Sequence, residues 1–283
     1  MTKKQVKVVT DSTSDLSHSE MERLEVTVVP LSVSFGPEVF YDGQLSKDEY
    51  WEKAQGPFWP RTSQPSLGAF ERAFAQHVEA GYDVLCLTLL TRYSGTYGTA
   101  CAAAHKFGDR VRVLDSGTVS AGLAWQVIAA AEEAARAAEL DDLAHLTADM
   151  ARRTRLYAAL DTIENVRRGG RLDNLMPMID RLLRVFDLKF VIMMANGQIG
   201  LAGAARSYGR ALERIREEAL EQAPLEKIAV LHTRAQERAT AFADALAEEA
   251  GLNRELVCVV EGGPVLACHA GPNVMGAFVL SES

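Results

Sequence analysis

Cysteine is scarce: Cys86, Cys101, Cys258 and Cys268 are the whole complement of a 283-residue chain, and no two form a CxxC pair. Scattered thiols, two of them inside apolar runs that read as buried strands around Cys86 and Cys268, fit a reducing compartment and no structural zinc site. Long apolar runs are missing as well. No stretch reaches the roughly 18 uncharged apolar residues of a membrane span. Met1 to Asp15 carries lysines but no apolar segment of a secretory signal. Positive charge is in deficit, with 30 Lys+Arg against 38 Asp+Glu and a net charge of −8. An acidic chain is a poor general binder of phosphate backbones, so nucleic acid is disfavoured. The nucleotide signatures GxxxxGK[ST] and GxGxxG are absent, and so are HxH and HExxH, which leaves no positive sign of a nucleotide, a metal or another cofactor. The expectation is a soluble, cytoplasmic protein. With 48% apolar residues the chain has the material for a substantial core.

Alternation organises what is present. Val6 to Thr10 is a short β-branched run leading into Asp11-Ser12-Thr13-Ser14-Asp15-Leu16. Strands are expected again at Val26 to Phe35 (interrupted by Pro30), Val84 to Leu90 and Val111 to Asp115. Helical patterns at Leu67 to Ala80 and Gly95 to Lys106 separate them, which predicts a parallel α/β sheet with polar loops at the strand carboxyl ends. Ala121 to Ala138 and Asp141 to Arg155 read as long amphipathic helices closing a first domain over 1–158. In the remainder, 159–283, Leu188 to Met194 and Ile199 to Leu201 flank Asn196-Gly197, a strong hairpin signal. Helices at Ser207 to Ala223 and Ala235 to Ala250 alternate there with strands at Ile228 to Thr233, Leu256 to Val260 and Ala277 to Leu280, an α+β pattern.

Four polar segments stand out. Arg61-Thr62-Ser63-Gln64-Pro65-Ser66 precedes a helix; Ser66 fits an N-cap, but Thr62 and Ser63 lie too far upstream for that role. Ser94-Gly95 lies where a strand gives way to a helix. A hydroxyl, a residue without Cβ and outward-facing N–H groups there form an anion cradle, although a plain serine cap accounts for Ser94 too. GxSxG is missing, since Arg92 occupies its first glycine position, and the hydrolase signal is weak. Arg168-Gly169-Gly170-Arg171 reads either as a glycine helix C-cap or as an arginine poised near an anion. His269, in Ala267-Cys268-His269-Ala270-Gly271-Pro272, is expected at the end of an apolar strand.

Read in order, these segments resemble the DegV family of bacterial lipid-binding proteins. The resemblance runs from Val8 to the C-terminus. It is carried by Asp11-Ser12-Thr13-Ser14-Asp15-Leu16, Val29-Pro30-Leu31, Tyr41-Asp42-Gly43, Thr62-Ser63-Gln64-Pro65-Ser66, Ser94-Gly95-Thr96-Tyr97, Asp115-Ser116, Arg168-Gly169-Gly170-Arg171 and His269-Ala270-Gly271-Pro272. It implies a two-domain fold, an N-terminal parallel α/β/α sheet domain plus a C-terminal α+β domain, with one long-chain fatty acid such as palmitate held between them. It also implies a non-catalytic subunit that presents the fatty acid to a separate ATP-binding fatty acid kinase, with transient membrane contact as a route of lipid exchange. By match to the family motifs, Thr62 and Ser94 hold the carboxylate, and Ser63, Gly95, Arg171 and His269 form the surrounding polar network. Arg206 is the kinase-facing candidate. Three departures accompany the match: Thr91-Arg92-Tyr93 replaces a serine-rich turn, Lys189-Phe190 replaces a Lys-Pro pair, and Asn273 replaces a glycine. Two other readings remain, a serine esterase or thioesterase using Ser94 with His269 as base, and a lipid sensor with a different partner.

Overall fold

The computed structural model describes residues 5–183 and 188–282. They fall into two compact units, one up to Arg152 and one from Arg153 on.

The first unit opens on β1 (Val6–Asp11), α1 (His18–Leu24) and β2 (Thr27–Val29). The chain then forms β3 (Ser32–Phe35), β4 (Glu38–Tyr41), α2 (Lys47–Ala54) and β5 (Pro60–Ser63). It returns through α3 (Leu67–Glu79), β6 (Asp83–Thr88), α4 (Thr96–Ala104), β7 (Val111–Asp115), α5 (Ser120–Ala135) and α6 (Leu140–Arg153). Four strands make a wholly parallel sheet in the order β2-β1-β6-β7. Because a strand alternates its side chains, each face collects its own core. Val6, Val8, Leu85 and Leu87 pack with Leu123, Val127 and Ala130 of α5, whereas Val9, Val84 and Cys86 pack with Phe70 and Phe74 of α3 and Ala100 and Ala103 of α4. Helices on both faces of a parallel sheet are the expected α/β/α layers. Helix α3 shows how the pattern works: Phe70, Ala73, Phe74 and His77, the buried residues, recur at helical spacing along one stripe.

A second, antiparallel sheet in the order β4-β3-β5 has no counterpart in the sequence-based expectation. Its strands have only four residues each, too short for alternation to separate from loop. The predicted single strand from Val26 to Phe35 is therefore two strands in two sheets. Pro30, which has no N–H to give to a ladder, stands between them. Helix α2 was also missed, although Ser46 and Glu49 form a capping box that marks its start.

The second unit comprises β8 (Thr154–Leu160), α7 (Glu164–Gly169), α8 (Met176–Leu183), β9 (Lys189–Ala195), β10 (Gln198–Ala205) and α9 (Tyr208–Leu220). It continues with β11 (Leu225–His232), α10 (Gln236–Ala250), β12 (Val257–Glu261), α11 (Pro264–Ala270) and β13 (Met275–Ser281). Six strands form one mixed sheet, β10-β9-β8-β13-β11-β12. The hairpin closes on Asn196-Gly197, both at positive φ, with Gln198 opposite Ala195. Ala211, Ile215 and Ala219 of α9 and Ala239, Ala243 and Leu246 of α10 cover one face, against Tyr157, Ala159, Val230 and Ala277.

Three expectations need correction. The helix predicted through Arg155 stops at Arg153, because Thr154 and Arg155 pair with Leu280 and Val279 in the sheet. A division after residue 158 cuts β8, whose residues all belong to the second unit. The apolar run before His269 is helix α11 and not a strand, so Cys268 and His269 are helical; Pro264 sits in its first turn, where a missing N–H costs nothing.

Candidate functional site

The polar segments of the first unit gather at the carboxyl ends of its parallel strands. Asp11 ends β1 and is fully buried. Its carboxylate accepts hydrogen bonds from the Thr13 N–H (3.0 Å), the Thr13 hydroxyl (2.5 Å) and the Leu89 N–H (2.7 Å). Burial pushes its pKa up to about 6, against the lowering effect of those donors. Next to it, Ser12 Oγ accepts from the Leu31 N–H at 3.1 Å and donates to Asp42, which also accepts from the Gly43 N–H. Three of the family-like segments, Asp11-Ser12, Val29-Pro30-Leu31 and Tyr41-Asp42-Gly43, thus converge on one frame that ties β1 to the small antiparallel sheet.

That frame fixes the turn carrying Ser94. Asp11 holds Leu89, and Asp115 at the end of β7 accepts from the Thr91 N–H (3.1 Å) and the Gly117 N–H (2.9 Å). The Leu90 N–H donates to the Thr118 carbonyl. Strand β6 accordingly stops at Thr88 and not at Leu90, because these carboxylates and carbonyls draw the next residues out of the ladder. Ser94 Oγ accepts from the Thr96 N–H (3.2 Å) and lies 2.8 Å from Thr96 Oγ1. Gly95 is the cap residue of α4, with no side chain to close the N-terminal donors.

Thr62 and Ser63 are in β5, where Thr62 pairs with Val33 and Ser63 with Ser32. The chain then turns, and Ser66 caps α3 through the Ala69 N–H, as expected. Gln64, in between, reaches α4: its Nε2 donates to Thr99 Oγ1 at 2.6 Å. Its carboxamide oxygen lies 1.9 Å from where a Cβ on Gly95 would be. The segment after β5 and the start of α4 are therefore in direct contact through Gln64, although they lie far apart in the sequence. Gln64 and Thr99 were given no role by the sequence, in which nothing marks a glutamine as the neighbour of a glycine far along the chain.

In the second unit, α7 ends at Gly170, which adopts a left-handed φ of 68° and donates to the Val166 carbonyl. This is the helix C-cap that the glycine pair suggested. Gly169 has a different purpose: a Cβ there would fall 2.8 Å from His269 Nδ1. The missing Cβ lets α11 bring His269 against α7. Arg171 is exposed and donates to the Gly169 carbonyl at 2.6 Å. Burial and then the Arg171 charge lower the His269 pKa to about 4, so the imidazole is neutral at pH 7. Asn165 completes the arrangement by donating to the Cys268 carbonyl, and Thr233 Oγ1 donates to that of Gly271. Asn273 adopts φ 56°, which explains why a glycine suits the position, and its amide donates to Asp161, which also pairs with Lys189 at 2.9 Å. One departure, Asn273, thus shares an acceptor with Lys189, the lysine that the Lys-Pro pattern retains. Arg206 is exposed in the bend between β10 and α9.

The family model described as an uncharacterised protein of the DegV family matches residues 5–282. The chain belongs to the DegV family. A DegV domain-containing protein from Streptomyces coelicolor is 32% identical over 282 residues, covering 98% of this chain and 99% of its own. Among solved structures, a fatty-acid-binding DegV family protein from Thermus thermophilus is 30% identical with a TM-score of 0.87, covering 98% of this chain and 100% of that one. A stearic-acid-binding protein from Eubacterium ventriosum is 26% identical with the same TM-score, 0.87, over 97% and 98% of the two chains. The two-domain α/β architecture of this DegV protein is that of its relatives. Among the described residues no helix is long and apolar enough to cross a membrane, and no group of three His, Cys, Asp or Glu is placed to hold a metal ion.

Proposed function

We propose that this DegV protein is a non-catalytic carrier of a long-chain fatty acid, whose carboxylate is held by Thr62 and Ser94 and presented to a separate ATP-dependent kinase for acyl-phosphate formation. The observation that carries the reading is the contact of Gln64 with Gly95 and Thr99, which joins the Thr62 strand end to the Ser94 helix start, in a chain whose structural relatives bind fatty acids. Two hydroxyls beside the open donors of a helix N-terminus suit a carboxylate, since hydrogen bonds to an ionised acceptor are the strong kind. Ser94 Oγ accepts from the Thr96 N–H, which leaves its own proton to be shared between Thr96 Oγ1 and a ligand. The tail supplies most of the affinity, about 0.8 kcal/mol per buried CH₂, and the head group fixes its register.

Arg171 and His269 form the polar set of the second unit, and Arg206 is the arginine proposed to face the kinase. A hydrolase using Ser94 with His269 is the weaker reading. An imidazole held at about 4 is a poor base at neutral pH, and the hydrogen-bond partners of Ser94 Oγ are the N–H and hydroxyl of Thr96. Mass spectrometry of gently purified, then denatured protein tests the carrier role: a near-stoichiometric fatty acid is expected, and only water-soluble metabolites would refute it. Reconstitution of lipid-loaded protein with the host's candidate kinase and ATP tests presentation through acyl-phosphate formation, and turnover of acyl esters by the protein alone, abolished by Ser94→Ala, would favour the hydrolase.

A further inference from the structure

Gly95 poses a question that its backbone does not answer. Its φ of −78° and ψ of 0° are open to any residue, so glycine is not required by conformation. What demands glycine is the Gln64 side chain, whose carboxamide oxygen, carbon and nitrogen lie 1.9, 2.8 and 3.1 Å from the missing Cβ. Gln64 is anchored at its far end by Thr99, and Thr99 is anchored in the first turn of α4 by its N–H bond to the Gly95 carbonyl at 3.0 Å. Residues 95 and 99 stand one turn apart on one helix face, so the notch and the anchor face the same side chain. Strand β5, by contrast, is an edge strand that among the described residues pairs with β3 alone and ends at Ser63. Nothing in the ladder holds the chain beyond that point.

We infer that Gln64 is a positioning residue for the head-group site: with the Gly95 notch and the Thr99 hydroxyl it forms a clasp that holds the strand end bearing Thr62 in register with the helix start bearing Ser94. This deepens the carrier reading and rests on it. Gln64 does not touch the ligand in this scheme. It keeps two donors at the separation one carboxylate needs, so its loss is felt by a ligand that uses both donors and not by one that uses a single donor.

The test compares palmitate with 1-hexadecanol, which keeps the tail but lacks the second head-group oxygen, on the delipidated full-length protein. Thr99→Val removes the anchor at nearly constant shape, and Gln64→Ala removes the clasp. Each is expected to weaken palmitate about two- to tenfold, the range for one neutral hydrogen bond, and to leave hexadecanol unchanged. Thr99→Ser keeps the hydroxyl and should bind palmitate like wild type. Gly95→Ala displaces the flexible end of Gln64 and should weaken palmitate by a similar factor, yet add no loss in the Gln64→Ala background, because the two changes break the same contact. Thermal melts of each variant check that the fold persists. Palmitate binding undisturbed by Thr99→Val, equal losses of acid and alcohol, or additive losses in the double variant would each overturn the clasp. Wild-type protein that binds neither lipid would overturn the carrier reading itself, before any variant is compared.

Discussion

Two glycines in this protein are explained by the side chains that occupy their missing Cβ positions. Gly95 makes room for Gln64 and Gly169 for His269, and each joins two segments that are distant in sequence. At this scale the carboxylate donors give the first prediction. Ser94→Ala and Thr62→Ala should each weaken fatty-acid binding by about 1–3 kcal/mol, the cost of losing a hydrogen bond to a charged group. Isothermal titration would show it, and wild-type affinity in both variants would exclude these hydroxyls from the site. Gly169→Ala gives the second. The His269 ring is packed where the new methyl group would go, 2.8 Å from the Cβ position, so displacing it is expected to cost about 1–3 kcal/mol of stability from overpacking. The sharper readout is NMR titration of His269, expected near 4 in the wild type and moving toward 6.5 when the new methyl group forces the ring into water.

Elements are joined here by carboxylates at strand ends, the buried Asp11 and the half-buried Asp115, as much as by apolar contact. Asp11 links the end of β1 to the residue after β6, and Asp115 holds the next part of the same turn. The Asp11 pKa of about 6 lies above the ordinary value of 3.8, so the folded protein disfavours the ionised form. The stability this group contributes is therefore fully present below about 3.8 and is lost as pH rises through about 6. A shift of that size corresponds to at most about 3 kcal/mol, at 1.36 kcal/mol for each pKa unit. Asp11→Asn does not titrate. Denaturant unfolding of both proteins should show the wild type gaining stability relative to the variant as pH falls from 7 to 4, whereas a constant difference would place the Asp11 pKa at its ordinary value. The smaller elements teach the converse lesson about legibility. The capping box at Ser46 and the proline at the start of α11 were readable signals, but the four-residue strands of the small sheet were not, since their register comes from their partners.

For the whole molecule, a ligand that binds only the folded state must raise its stability by mass action. Adding palmitate or stearate to delipidated protein at about 100 times its Kd should stabilise it by about 2.7 kcal/mol, seen as a rise in Tm in calorimetry. Soluble short-chain acids such as acetate should not, because they carry the head group without the tail area that supplies the affinity. A Tm indifferent to long-chain acids would contradict the carrier role at the level of the entire protein.

The sequence by itself determined the class of fold and the family. Apolar periodicity is local, so the parallel strands, their flanking helices and the Asn196-Gly197 hairpin were legible from residues a few positions apart. The polar segments were legible as an ordered series, and their order identified the DegV family. Only the tertiary structure decided what each of them touches. Asp11 meets Leu89, Ser12 meets Leu31, and Gln64 meets Gly95 and Thr99 across chain separations that no local pattern encodes. The physical reason is that a hydrogen bond or a missing Cβ acts over a few ångströms of space, and the chain brings those atoms together only after the sheets have paired and the cores have closed.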